Sequence, residues 1–349
     1  MTFPRLTRAL CLALAICGCR PGTDEPVTAP TPPKFQPAPA LERPAGATNE
    51  SAQAPAEPCA DQAGPEAVAL PERVTFGDFW PALATQVERL DTTALQSGFQ
   101  AFAARHDVDP STPQLWRDFT RLWVIFEATR DGGFWRLRWD VTDQEPTSVV
   151  IWKAWMRAPP AHAFASESAV AECDEITALF SVTARRLGVR GVGLFYPTWN
   201  HVIAGWAPEA LAKSGANSIV LIPTTQIFQG CPSTFDETTF KVPKHVYEFP
   251  KVDMRDATEM PPSLAHFLLE QVRAYGEASP DLLALIRAKR ADLLRSSLGD
   301  CDTYRQELAT ALRSRLTCAD RRALRHLADR ELGQHDLSDQ QALTFLASP

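Results

Sequence analysis

Apolar residues recur at helical spacing in the first part of the folded body. Thr75 can cap a helix from Phe76 to about Leu90, and a second helix is expected over residues 93–105. A third helix follows Pro113, because proline suits the first helical position. Its apolar residues recur at helical spacing, at Leu115, Phe119, Leu122, Trp123 and Phe126.

The pattern changes after Gly132 and Gly133, which we expect to end the third helix. From Trp135 to Val141, apolar and charged residues alternate, which is typical of a half-buried strand. Residues 147–156 are rich in β-branched and aromatic side chains. This composition predicts a second strand, paired with the first.

The next stretch predicts one helix followed by three strands. Cys173 opens the helix, and Gly188 is a natural stop for it. Its apolar face consists of Ile176, Leu179, Phe180, Thr183 and Leu187. The strands are expected over residues 191–196, 199–206 and 218–223.

The C-terminal third predicts helices that either pack on the core or form a small second domain. Their starts are marked by Pro261-Pro262, Ser279-Pro280, a capping box of Thr303 with Gln306, Cys318 and Ser338. We therefore expect an α+β fold. It has N-terminal helices, a cysteine-bearing helix packed on an antiparallel sheet, and a C-terminal helical bundle.

The first 18 residues look like an export signal. Arg5 and Arg8 precede a short apolar run that is too brief to span a bilayer. The run ends in Cys17-Gly18-Cys19, which resembles the lipobox of bacterial lipoproteins. That resemblance implies lipid on Cys19, anchorage to a membrane, and a place in the cell envelope.

The signal is followed by a segment that cannot form a core. Residues 19–71 are dense in proline, alanine, threonine, glutamine and glutamate, and they predict an extended, disordered tether. We place the α+β core over residues 72–260 and the helical region over residues 261–349.

Charge and motifs exclude several classes of site. A net charge of -7 gives no electrostatic footprint for nucleic acid. Histidines such as His245, His266 and His326 lack metal-ligand spacing, and no dinucleotide fingerprint is present. The sequence therefore predicts neither a metal nor another cofactor, and it leaves the oligomeric state open. A peptide or protein remains open as a substrate.

Five cysteines remain after the signal and the lipidated residue are removed: Cys59, Cys173, Cys231, Cys301 and Cys318. Disulfides persist outside the inner membrane, and an odd count leaves at least one thiol free within a monomer. Our hypothesis pairs Cys301 with Cys318, across a chain reversal near residues 314–317, and pairs Cys59 with Cys231. Cys173 is then the free thiol.

All nine tryptophans lie between Trp80 and Trp206. They could form a stacking platform for sugars or peptide. We favour a large aromatic core, since tryptophan buries much apolar area.

The order of cysteine, histidine and apolar strand resembles the transglutaminase-like superfamily. The resemblance covers residues 170–226, with Cys173 at a helix start and the segment Asn200-His201-Val202 on a following strand. It implies a papain-like core in which Cys173 is a nucleophile and His201 a general base. The helix N-terminus favours a thiolate, but the neighbouring acids Asp174 and Glu175 oppose it.

One position departs from the family pattern. The family places an aspartate on the next strand to orient the histidine, and Ile222 stands there in this chain. Thr224, Thr225 or Gln226 could take over that role, or the site is weakened. We name Thr224 with Cys173 and His201 as the candidate catalytic set.

The resemblance thus implies a lipid-anchored thiol enzyme that hydrolyses or transfers an amide bond of a peptide. The alternative is a catalytically inactive envelope lipoprotein that keeps the same core as a binding module. The missing aspartate favours the module, and the unpaired cysteine favours the enzyme.

Overall fold

The structure is a computed structural model, and it describes most of the chain after the tether. The described residues are residue 59 and the ranges 64–142, 147–157, 168–198, 201–212, 219–225, 246–247, 254–293 and 302–348. The predicted signal, Cys19 and most of the predicted tether lie outside these ranges.

Three helices open the body, as the apolar spacing predicts. A short strand, β1 (Val74–Thr75), leads into α1 (Phe76–Glu88). The Thr75 hydroxyl accepts a hydrogen bond from the Asp78 amide at 3.3 Å, which confirms the predicted cap. A 3-10 turn at Thr93–Leu95 precedes α2 (Gln96–His106), and α3 (Pro113–Thr129) follows.

The predicted hairpin of two strands is wrong. Only β2 (Leu137–Trp139) forms from the first segment, and the second segment folds as α4 (Val149–Arg157). The strand β2 pairs instead with β3 (Ala169–Ala171), in parallel.

This segment forms the helix α4 instead of a strand because its bulky residues have helical spacing. Ile151, Trp152 and Trp155 lie on one face and are fully buried. The Trp152 indole N–H also donates to the Ser148 hydroxyl at 3.0 Å, one helical turn away. Burial of this face outweighs the β propensity of the valines and isoleucine.

The central layer is a helix packed on an antiparallel sheet. The helix is α5 (Cys173–Arg186), and Gly188 ends it with φ +84°, as the sequence predicts. The sheet order is β6-β5-β4-β7, with all three neighbouring pairs antiparallel. Its strands are β4 (Val192–Thr198), β5 (His201–Trp206), β6 (Val220–Ile222) and β7 (Val246–Tyr247), with the short helix α6 (Glu209–Ala212) between β5 and β6.

Helices dominate the remainder of the described chain. The strand β8 (Glu259–Met260) pairs with β1, and five helices follow: α7 (Pro262–Tyr275), α8 (Pro280–Leu293), α9 (Asp302–Arg313), α10 (Cys318–His326) and α11 (Asp339–Ala347). Ser338 caps α11 as predicted, whereas α9 already begins at Asp302, so Thr303 is not its cap. The predicted fourth helix ends in a π-helical turn at Leu327–Leu332.

One hydrophobic core runs through both the sheet layer and the C-terminal helices. Of the described tryptophans, five are less than 5% exposed, and Trp116, Trp123 and Trp139 pack partly buried against the same core. The described tryptophans therefore form an aromatic core rather than a platform, and Trp199 lies outside the described residues. The chain is an α+β protein, since a mostly helical shell encloses small sheets.

The disulfide hypothesis is wrong in its pairing. Cys59 forms a disulfide with Cys318, with the two Cα atoms 5.4 Å apart, so neither Cys301–Cys318 nor Cys59–Cys231 can exist beside it. The helix does break before Cys318, because α9 ends at Arg313 and α10 begins at Cys318. The disulfide joins the start of α10 to Cys59, ahead of the first strand. Cys231 and Cys301 lie outside the described residues.

Candidate active site

Cys173 is the first residue of α5, and acidic side chains fix the helix start around it. The Glu175 carboxylate accepts from the Glu172 amide at 2.9 Å and from the Thr142 hydroxyl at 3.0 Å. The Glu172 carboxylate in turn accepts from the Thr142 amide at 2.9 Å. The first turn of α5 is therefore held in place from outside the helix, and the Cys173 thiol within it is free and partly exposed.

The same face of α5 lies against strand β5. Thr177 is one turn beyond Cys173, and its hydroxyl reaches the Val202 carbonyl at 3.5 Å. The Val202 backbone N–H also lies near enough to the Cys173 sulfur to lower the pKa of the thiol. Val202 follows His201 directly, so the packing of α5 brings the thiol to the strand residue next to the candidate base.

His201 begins β5 and is only 3% exposed. Burial lowers the pKa of its imidazole to about 4, because the charged form loses its hydration there. His201 is therefore neutral at pH 7, which is the form that can accept a proton from a thiol.

The thiol is neutral as well. Burial raises the pKa of Cys173 above its ordinary value of 9.0, and the charges of Asp174 and Glu172 raise it further. The N–H groups of Val202 and Asp174 oppose this by lowering the pKa, but they do not prevail. The helix N-terminus thus fails to produce a thiolate, since burial and two acids outweigh it.

Asp174 is one of the two acids that flank the thiol in sequence, the other being Glu172. Burial raises its pKa to about 6, and the charge of Glu172 adds to the increase. At pH 7 the acid is mostly ionised, so the thiol has a negative neighbour there. A proton enters Asp174 only below about pH 6.

The third candidate, Thr224, contacts α5 rather than the solvent. Its hydroxyl lies 2.6 Å from that of Thr177, and its carbonyl accepts from the Asp131 amide at 3.1 Å. Thr224 is fully buried, so these bonds hold the end of β6 against the cysteine-bearing helix. The structure therefore brings Cys173 and Thr224 to the same face of α5, by way of Thr177.

Thr225 lies three residues beyond the end of β6. The last pair in the register of β5 and β6 is Ala204 with Ile222, and Pro223 and a bend at Thr224 separate that pair from Thr225. Thr225 is 2% exposed. Ile222 occupies the core with no exposure, which leaves no acid at its position, and Gln226 lies outside the described residues.

Sequence reasoning missed Thr177 and the acid-threonine contacts at the start of α5. The signal for Thr177 was its spacing of four from Cys173, which puts both residues on one helix face. The bonds from Thr142 to Glu172 and Glu175 span about thirty residues of chain. No local pattern encodes such a contact.

The described residues carry no group of three or more metal-ligating side chains. Among them, too, no helix is both long and apolar enough to cross a bilayer.

No family model, curated protein or solved structure matches the chain. The likeness of residues 170–226 to the transglutaminase-like superfamily stays a prediction from sequence.

Proposed function

We propose that the protein is a lipid-anchored envelope enzyme that cleaves or transfers an amide bond through Cys173 and His201. The observation that carries the proposal is the packing of the face of α5 that bears Cys173 on β5, where the Thr177 hydroxyl reaches the carbonyl of Val202, the residue after His201. We further propose that α5 and the sheet β6-β5-β4-β7 form a papain-like core of the transglutaminase type. The lipid on Cys19 and the extended tether belong to the same proposal.

The chemistry starts from an uncharged thiol and imidazole. As the Cys173 sulfur attacks the amide carbonyl carbon, its proton passes to His201, and the carbonyl π electrons move to oxygen. Collapse of this intermediate breaks the C–N bond, and the amine leaves with the proton from His201. The resulting thioester is resolved by water, in hydrolysis, or by a second amine, in transfer.

Thr224 and Thr225 have separate roles in this proposal. Thr224 holds the end of β6 against α5 through Thr177. Thr225, buried just beyond the end of β6, is the neutral residue that we assign to orient the imidazole in place of an aspartate. A hydroxyl stabilises an imidazolium less than a carboxylate does, so the enzyme is expected to be slow.

The second candidate function is a binding module with an inert thiol. It is favoured by the buried Ile222 at the position of the acid and by the raised pKa of Cys173. In this alternative Cys173 and His201 have no catalytic role, and the surface around α5 binds a partner without catalysing a reaction.

An acylation assay separates the two functions. The full exported chain is mixed with p-nitrophenyl acetate, release of nitrophenol is followed, and hydroxylamine-sensitive acyl groups are mapped by mass spectrometry. We expect acetyl on Cys173 and a large loss of the rate in His201→Ala. The matched control is His266→Ala, which removes an exposed histidine from α7. If the rate of Cys173 acylation is the same in all three proteins, the binding module is the correct function.

A further inference from the structure

A cationic cavity lies beside the disulfide, far along the chain from the thiol site. It has a volume of about 200 Å³ and is lined by Gly64, Arg273, Ala274, Arg322, Arg325 and His326. This volume is smaller than that of a pocket for a drug-sized ligand, so it suits a single small group. Three guanidinium groups in the lining select an anion.

The cavity and the disulfide share one face of α10. Cys318, Arg322 and His326 follow at intervals of four residues, and Arg325 lies three residues after Arg322. Gly64, five residues after Cys59, packs against the Arg322 side chain and completes the rim. The Cys59–Cys318 disulfide therefore fixes the C-terminal end of the predicted tether next to the cavity.

The cavity keeps positive charge after its own ion pairs are counted. Arg273 pairs with Glu270 at 2.6 Å, and Arg322 pairs with Glu277. The Glu270 carboxylate also lies 3.6 Å from Nδ1 of His326. Both carboxylates lie outside the lining, and each guanidinium retains further N–H donors. Arg325 is exposed and has no ion pair with any residue in the described ranges. One cationic charge is thus left for a ligand in a protein whose net charge is -7.

We propose that this cavity binds a phosphate group, supplied by the headgroup of an anionic phospholipid. Arginine binds phosphate through paired N–H donors, and three arginines around a small cavity offer several such pairs. The choice of a lipid rests on the proposed membrane tether, whose described end is held beside the cavity. Docking of this face on the bilayer would set which way the thiol site points.

The test uses the exported chain with Cys19→Ala, so that no lipid anchor contributes. Sedimentation is measured with phosphatidylcholine vesicles and with vesicles that also contain phosphatidylglycerol. We expect binding to the anionic vesicles only, and about fivefold weaker binding for Arg325→Gln. The matched control, Arg117→Gln, removes an exposed charge from α3 and should bind as the parent does.

Three outcomes overturn the proposal. If the protein binds both vesicle types equally, the anionic headgroup is not recognised. If Arg325→Gln and Arg117→Gln weaken vesicle binding equally, the cavity is not the binding site. In a separate arm, inorganic phosphate is titrated while the Gly64 and Ala274 amide resonances are observed. If phosphate shifts these resonances but the protein does not bind vesicles, the lipid headgroup is not the ligand, and the cavity binds a soluble phosphate instead. Acylation of Cys173 is independent of each result.

Discussion

Glu331 is the residue whose removal should destabilise the C-terminal helices most. Its side chain has no exposure and accepts from the Tyr275 hydroxyl at 2.7 Å and from Arg290 at 2.8 and 3.0 Å. The Arg136 guanidinium lies 3.8 Å away and is equally buried. Arg290 also donates to the Gly133 carbonyl at 3.1 Å, so the cluster joins α7, α8 and the π-helical turn to the loop after α3.

Replacing Glu331 with glutamine keeps the shape and removes the charge. Arg136 and Arg290 then lose the carboxylate that both of them contact in the interior, and breaking a buried pair in this way costs about 3–5 kcal/mol. For a domain of this size, that loss lowers Tm by roughly 10 °C. The matched control is Glu259→Gln. The Glu259 side chain is 64% exposed and that of its partner Arg73 is 83% exposed, so this ion pair should contribute at most about 1 kcal/mol to stability.

The pH dependence gives a second readout with a definite sign. Burial alone would raise the pKa of Glu331, but the charges of Arg290 and Arg136 and the bonds from Tyr275 and Arg290 bring it below 4.5. A carboxyl whose pKa is depressed by folding stabilises the fold above its unfolded pKa and loses that contribution in acid. The difference between wild type and Glu331→Gln should therefore shrink as the pH falls below about 4.5.

Urea unfolding at pH 7, followed by circular dichroism, measures both free energies. The reasoning is refuted if Glu331→Gln loses no more stability than Glu259→Gln. It is also refuted if the difference between wild type and Glu331→Gln grows in acid. Tyr275→Phe, which removes a hydroxyl donor but leaves the ion pairs, should lie between them at about 1–2 kcal/mol.

Three further predictions concern other parts of the chain. Cys19→Ala should move the protein from the membrane to the soluble fraction on cell fractionation, and unchanged membrane association would contradict the lipid anchor. Gly133→Ala should unfold the protein at a lower urea concentration, because the new Cβ would lie 2.6 Å from the Glu127 carbonyl oxygen. Gly98→Ala in α2 is the control: its new Cβ would have no atom within 4 Å, and it should stabilise the protein by about 1 kcal/mol. The His201 imidazole should titrate near pH 4 in an NMR experiment, and a midpoint near 6.5 would show that it is hydrated.

The elements that sequence predicted best have strong local signals. Thr75 and Ser338 begin helices through capping boxes, and Gly188 ends α5 in the left-handed region that glycine favours. The order of α5, β4, β5 and β6 also followed from periodicity. These signals lie within one element and its flanking residues, so they can be read without tertiary information.

The errors arise where distant contacts decide. The segment from Val149 to Met156 has the composition of a strand, yet burial of Trp152 and Trp155 on one face makes it helical. The partner of Cys318 is separated from it by 259 residues, and spacing arguments cannot select it. For the site, sequence supplied Cys173 and His201, but the contact of Thr224 with Thr177 spans 47 residues of chain and no local pattern predicts it.

The two pKa values decide how the proposed enzyme could work. With a thiol pKa above 9.0 and an imidazole pKa of about 4, transfer of the proton from Cys173 to His201 before the attack is unfavourable, since the thiolate and imidazolium would both form against their pKa values. Transfer of the proton during attack avoids that intermediate, because the thiolate never exists alone. Iodoacetamide reacts with the thiolate that solvent provides, so His201→Ala should leave its rate unchanged while slowing acylation by the ester. A parallel loss of both rates would mean that Cys173 and His201 form an ion pair at rest.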